Sequence, residues 1–280
     1  MIKLCVSMWS FQELLDNGAM DFSQYADFLC QHKVNYAELL DFYIPDIDAA
    51  MKILGQRGIQ PAVWSICNDF VQDDAAQLQK QISYVCSAID IAKKYEIPLM
   101  RVFSGDAKDS IGFEEGLSSI KKAFAACVPY AEKNGIILCL ENHGVFSARS
   151  EVVEEILNSC PSPYFRSNFD TANFLFVDED PNEAIDRLYR LVPLLHIKDY
   201  RKSDHAEEGW PSLQQVWYTG CPVGKGVVDF PYILRKIESN PYDVVASLEL
   251  ESENPMESAA KSLAFLRGES DESVFPYIDT

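Results

Sequence analysis

Along the chain, short apolar runs bounded by Gly, Pro, Asn or Asp alternate with longer stretches whose apolar residues recur three and four positions apart. The first pattern belongs to buried strands, the second to amphipathic helices. Strands are predicted at residues 1–6, 35–40, 59–65, 97–103, 136–143, 164–169, 193–197 and 244–249. Helices are predicted at 21–32, 46–58, 73–95, 113–134, 150–159, 181–191, 229–238 and 255–266. Two helix starts have capping-box spacing: Ser10 with Glu13, ahead of a short extra helix, and Asp21 with Gln24. Residues 200–225 form a longer connection that carries Trp210, Trp217 and Tyr218, and 268–280 read as a tail.

Strand–helix alternation on this scale predicts parallel strands joined by right-handed crossovers. Eight of them favour a closed α/β barrel, the (β/α)8 or TIM barrel, over an open sheet. With 280 residues and 48% hydrophobic content the chain can bury one large core, so residues 1–267 are expected to form a single domain. Such a barrel carries its chemistry at the C-terminal rim, which makes the polar residues at strand ends the ones to weigh.

Four late strands end in metal-competent side chains: Glu141, Asp170, His196 and Glu249. If those strands lie side by side, three carboxylates and one imidazole meet at one point and make a divalent-metal site. Singly, each has an ordinary explanation: Asp170 as a turn cap, Glu141 and Glu249 as partners of rim Arg or Lys, His196 as a satisfied core histidine. Jointly they would be a costly like-charge cluster unless a cation sat among them. Glu38 and Arg101 are charges within strand-like runs, suited either to the site or to rim ion pairs. Trp9, Trp64 and Phe103 lie near strand ends and are candidates for a substrate wall, with core packing the alternative. His32 falls at a helix C-terminus, where an imidazolium suits the dipole.

Charge narrows the partners. The formal net charge is −19 and no basic stripe offsets it, so nucleic acid is disfavoured. The eight cysteines are scattered, form no Cys-x-x-Cys pair and sit mostly among apolar neighbours, as small buried hydrophobes of a reducing compartment do. Residues 1–6 read as a strand rather than a signal peptide, and no uncharged apolar run is long enough to span a bilayer. A cytoplasmic protein with no membrane partner is expected.

Five motifs follow one another in order: Glu141-Asn142-His143, Asp170-Thr171-Ala172-Asn173, His196-Ile197-Lys198-Asp199, Gly224-Lys225-Gly226-Val227-Val228-Asp229-Phe230 and Ser247-Leu248-Glu249-Leu250-Glu251. They resemble the successive signatures of the xylose-isomerase-like TIM barrels, the sugar phosphate isomerase/epimerase group that includes ketose 3-epimerases and inosose dehydratases. Glu38-Leu39-Leu40 and Arg101-Val102-Phe103-Ser104-Gly105 are similar to earlier strands of that family, so the resemblance spans nearly the whole chain.

The resemblance implies that Glu141, Asp170, His196 and Glu249 hold one divalent ion, with Glu251 supporting Glu249 from the same strand face. The oxygen-rich donor set suits Mn²⁺ or Mg²⁺, with Co²⁺ or Zn²⁺ as substitutes. It implies a metal-dependent sugar isomerase or epimerase acting by proton abstraction next to a carbonyl, through a metal-stabilised enediolate. Glu141 and Glu249 would be the catalytic acid–base pair, and His143, Lys198, Glu38, Trp64 and Arg101 would bind substrate.

A dehydratase (lyase) of a keto-polyol such as an inosose would share the first step. A non-catalytic metal-binding barrel is the reading from a different class. Ketose 3-epimerases usually place a histidine three residues after the metal-binding aspartate, where this chain has Asn173. The expected substrate is a small sugar or keto-polyol. The Gly224-Lys225-Gly226 turn is only a weak phosphate motif, which favours an unphosphorylated one. The aromatic 200–225 connection is a candidate lid or homo-oligomer surface.

Overall fold

Eight parallel strands close into the expected barrel. The computed structural model describes residues 1–205, 208–240 and 242–269, and the tail beyond Glu269 lies outside the described residues. The barrel strands are β1 (Ile2–Ser7), β2 (Tyr36–Leu40), β3 (Gln60–Ser65), β4 (Leu99–Val102), β5 (Ile137–Glu141), β6 (Phe165–Asp170), β7 (Leu194–Ile197) and β11 (Val244–Leu248). They neighbour one another in sequence order, and β1 closes the ring by pairing in parallel with both β2 and β11. Nine α-helices occur among the described residues: α1 (Gln12–Asp16), α2 (Phe22–Gln31), α3 (Ile47–Gln56), α4 (Ala75–Lys94), α5 (Phe113–Asn134), α6 (Ser150–Ser159), α7 (Pro181–Leu188), α8 (Phe230–Glu238) and α9 (Pro255–Leu266). None is long and apolar enough to cross a membrane.

Local chemistry explains most boundaries. The predicted capping box forms at α2: the Asp21 carboxylate accepts from the Gln24 amide, and the Gln24 side chain accepts from the Asp21 amide. Asp180 and Asp229 cap α7 and α8, each followed by a proline in the first turn, where the missing N–H costs nothing. Helix α5 stops at Gly135, whose φ of 74° is the left-handed conformation that ends helices.

The other predicted box does not form. A 3-10 helix (Met8–Phe11) precedes α1, and Ser10 is buried with its hydroxyl donating to the Leu248 carbonyl (2.9 Å) and accepting from the Leu250 amide (3.0 Å). A buried hydroxyl that closes the ring between the first and last strands replaces the local cap. His32 is the C-cap of α2, yet burial and then Arg267 lower its affinity for a proton, so the dipole argument does not decide its state.

Two apolar regions hold the fold. The larger lies between the outward faces of the strands and the helices, and includes Phe11, Phe70, Phe124, Phe165, Phe169 and Phe230. The smaller fills the barrel itself with Cys5, Ala62, Val63, Leu99, Cys139, Leu194 and Val245. Fully burying each Leu, Val or Phe is worth about 1.5–3 kcal/mol, so these layers dominate stability. Four cysteines (Cys5, Cys127, Cys139 and Cys221) are buried as expected, whereas Cys30 and Cys67 are exposed; all eight are free thiols.

The 200–225 stretch is more than a connection. It folds as a three-stranded antiparallel sheet of β8 (Tyr200–Lys202), β9 (Trp210–Pro211) and β10 (Trp217–Gly220), in the order β8-β10-β9, above the C-terminal rim.

Candidate metal centre and active-site cavity

Strand alternation builds the site. Side chains two apart on a strand share a face, and inside this barrel the residue two beyond six of the seven apolar fillers is polar: Ser7 after Cys5, Ser65 after Val63, Arg101 after Leu99, Glu141 after Cys139, His196 after Leu194, Ser247 after Val245. A polar tier thus sits on the apolar plug. Glu38 joins it from β2 at a register shift against β3, and Asn168 and Asp170 join it from β6.

Within that tier Glu141, Asp170, His196 and Glu249 come together as the sequence predicts. One ligand-capable atom from each lies within 4.8 Å of all the others, and all four residues are buried. Asp170 Oδ1 is occupied by the amides of Ala172 (2.9 Å) and Asn173 (3.0 Å), while the equally buried Oδ2 accepts no hydrogen bond. It faces the Lys198 ammonium at 3.4 Å, and a carboxylate oxygen without a hydrogen bond beside two more carboxylates and an imidazole suits a divalent cation. The cluster can bind a metal.

Glu38 does not face the cavity. It lies fully buried beside His196, with Oε1 accepting from Ser65 Oγ (2.5 Å) and 3.1 Å from His196 Nε2. This contact directs Nε2–H at Glu38 and turns Nδ1 to the cluster, 3.1 Å from Glu249 and 3.7 Å from Glu141. Burial disfavours charge on His196, but Glu38, Glu249 and Glu141 outweigh it and carry the imidazolium up to about 10. The ring therefore holds either a proton or a metal against its carboxylate neighbours.

The two candidate acid–base groups are held in opposite directions. Burial pushes Glu141 above the usual carboxylate range despite His196 and Arg101, whose Nε lies 3.3 Å away. Glu249 is just as buried, yet Lys198 at 2.6 Å and then His196 hold it below that range. Burial raises Asp170, with Lys198 at 3.4 Å only partly offsetting it. His143, its ring 4.7 Å from that of Phe103, is lowered by burial and then by Lys198 and Arg101, which favours neutral imidazole.

These groups open onto a cavity of about 510 Å³, a usual size for a small-molecule site. Arg101, Glu141, His143, Lys198 and Glu249 line it, as the sequence predicts. Trp64 does not. Its neighbours Val63 and Ser65 point into the barrel, so alternation sends the indole outward into the helix-facing core, where it is buried. The aromatic wall comes instead from Trp9, Phe103, Phe176, Tyr200 and Trp210. Phe176 is not foreseen from the sequence because it arrives on a 3-10 helix that periodicity does not signal, whereas Trp210 belongs to the aromatic connection expected to be a lid or an oligomer surface and lines the cavity from the small sheet. Asn168 was within reach: it stands one strand repeat before Asp170 and donates to Glu141 (3.3 Å). The Gly224–Gly226 turn is no open phosphate cradle, because Asp199 already accepts from the amides of Gly224 (3.0 Å), Gly226 (2.8 Å) and Val228 (3.2 Å).

A family model described as "Xylose isomerase-like TIM barrel" matches residues 24–269. The chain belongs to this family. Among curated relatives, it is 26% identical over 157 residues to 3-oxo-isoapionate decarboxylase of Pectobacterium atrosepticum, covering 56% of this chain and 53% of that protein. It is 25% identical over 146 residues to inosose dehydratase of Clostridium perfringens, covering 49% of each. The match thus spans about half the length of these relatives. Solved structures of similar fold cover nearly all of the chain at low identity. The probable 3-DHS dehydratase AsbF of Bacillus anthracis has a TM-score of 0.74 at 16% identity, covering 93% of this chain and 97% of that one. The IOLI protein with a bound zinc atom has 0.74 at 16%, covering 94% and 95%. D-psicose 3-epimerase in the presence of D-fructose has 0.71 at 14%, covering 95% and 98%. The family frame thus includes epimerases and dehydratases alike.

Proposed function

We propose that the protein is a divalent-metal-dependent sugar isomerase or epimerase that removes a proton next to the carbonyl of a small polyhydroxy substrate. The carrying observation is the pair Glu141 and Glu249, two members of the four-ligand cluster that also line the cavity, each with its own cationic neighbour, Arg101 at 3.3 Å and Lys198 at 2.6 Å. Two carboxyl groups placed together at a substrate-sized cavity suit an acid–base pair.

A cation held by Glu141, Asp170, His196 and Glu249, with Mn²⁺ or Mg²⁺ best matched to the donors, would supply electrostatic stabilisation to the enediolate that forms. Glu249, kept ionised by Lys198, takes the proton from one face of the carbon. Glu141, oriented by Arg101, returns one to the other face. His143 and Asn173 offer hydrogen bonds to substrate oxygens, and the aromatic wall limits water at the carbanion.

Dehydration is the second reading, favoured by Lys198 at the cavity wall, whose ammonium can protonate a departing hydroxyl. Matches to an inosose dehydratase and a decarboxylase, and Asn173 in place of a second histidine, lean the same way. Incubating Mn²⁺-loaded protein with ketoses and inososes in deuterated water, followed by NMR, tests both. Deuterium next to the carbonyl with inverted configuration supports epimerisation, and loss of a hydroxyl supports dehydration. Stoichiometric metal with no exchange on any member of the panel would leave a non-catalytic metal-binding barrel.

A further inference from the structure

Two Lys or Arg side chains line the cavity among the described residues, Arg101 and Lys198, and both are committed to the protein itself. Arg101 faces Glu141 through Nε (3.3 Å), donates from Nη1 to the Ile66 carbonyl (2.8 Å), and lays its guanidinium 4.0 Å from the Phe103 ring centroid. Lys198 sits 2.6 Å from Glu249, 3.4 Å from Asp170 and 3.8 Å from Glu251. Their side chains are only 4% and 5% exposed, so neither reaches out to meet an incoming anion. Glu251 is the outermost of these charges, with 27% of its side chain exposed at the cavity wall.

Counting charges sharpens this. Glu38, Glu141, Asp170, Glu249 and Glu251 face two permanent cations, so that even with a divalent ion bound and one proton held on the acid–base pair no positive charge is left over for an anionic ligand. The nearby run of backbone amides that might have received a phosphate is filled by Asp199. The rest of the wall is neutral: the side-chain amide of Asn173 for hydroxyl groups, and aromatic faces for C–H surfaces.

We infer that the cavity selects an uncharged polyhydroxy ketone and rejects phosphate esters and keto-acids, with Glu251 setting the discrimination. An anionic group entering here would lie beside Glu251 and Glu249 in a partly desolvated space, where like-charge juxtaposition is strongly unfavourable. The inference rests on the proposed function for the word "ketone", but charge selection stands on the cavity alone. It also separates this chain from its decarboxylase relative, since decarboxylation requires a carboxylate to be seated.

The test is calorimetric binding to Mn²⁺-loaded protein. D-fructose and scyllo-inosose serve as neutral probes, D-fructose 6-phosphate and 2-keto-D-gluconate as anionic ones. At least one neutral probe should bind about 100-fold more tightly than either anion, and Glu251→Gln should narrow that gap about tenfold. Glu251 is at the open side of the site, and circular dichroism verifies that the variant keeps its fold. An anionic probe binding as tightly as the neutral ones, no neutral probe binding, or an unchanged gap in Glu251→Gln overturns the inference. Neutral binding without solvent-proton exchange would keep it while sinking the enzymatic reading; exchange on an anionic probe would do the reverse.

Discussion

The barrel interior has two tiers made by the same strands, two residues apart. The lower holds Cys5, Val63, Leu99, Cys139, Leu194 and Val245; the upper holds Ser7, Ser65, Arg101, Glu141, His196 and Ser247, with Glu38, Asp170 and Glu249 completing it. Backbone pairing runs through both, interrupted at the register shift between β2 and β3 beside Glu38. What differs is how each tier satisfies itself. The plug is stabilised by leaving water, whereas the polar tier is stabilised only by mutual pairing and leaves Asp170 Oδ2 and Glu38 Oε2 without hydrogen bonds. A tier that folding does not satisfy by itself is one shaped for a ligand.

The comparison implies a double dissociation. Glu249→Gln should produce the largest effect, lowering solvent-proton exchange about 10³-fold, as expected when an acid–base group is removed. Its thermal stability should change little, because Asp170 and Glu251 remain beside Lys198. Leu194→Ala should do the opposite. It should cost about 3 kcal/mol in denaturant unfolding by opening a cavity in the plug, while kcat of the folded fraction is retained. If the two variants fail in the same assay, the tiers are not separable and the comparison is wrong.

Most of the upper tier was legible because strand ends are legible. Glu141 and Glu249 close apolar runs, Asp170 and His196 stand at or near the ends of predicted strands, and a parallel barrel brings such ends to one rim whatever the details of packing. Trp64 was misplaced because position along a strand was used without its parity: the residues flanking it face inward, so it cannot. Ser10 was misread because Ser-x-x-Glu matches a local rule, while its real partners, Leu248 and Leu250, are far away in sequence. The small sheet above the rim was hidden because its strands are too short to show a period.

Glu38 tests the boundary between the tiers. It does not line the cavity, and its hydrogen bond to the cluster is the one to His196. Glu38→Gln preserves shape and an acceptor but removes the charge that fixes the Nε2–H tautomer. Mn²⁺ affinity should drop about tenfold in equilibrium titration, the lower end of what such supporting partners are worth. Unchanged affinity would mean that His196 is oriented by Asn168 alone.

The smallest expected effect is at Ser10, and it sharpens the comparison from outside the barrel. Its hydroxyl binds the Leu248 carbonyl and the Leu250 amide, clasping the backbone on both sides of Glu249. Ser10→Ala removes two buried hydrogen bonds of ordinary strength, and water cannot easily replace them at a fully enclosed position. The stability cost should be about 1 kcal/mol, because the amide and carbonyl left behind can relax with the strand end. If that strand end shifts, Glu249 shifts with it, and metal affinity should weaken alongside stability. If stability falls while Mn²⁺ titration is unchanged, the clasp closes the ring between β1 and β11 without positioning the upper tier.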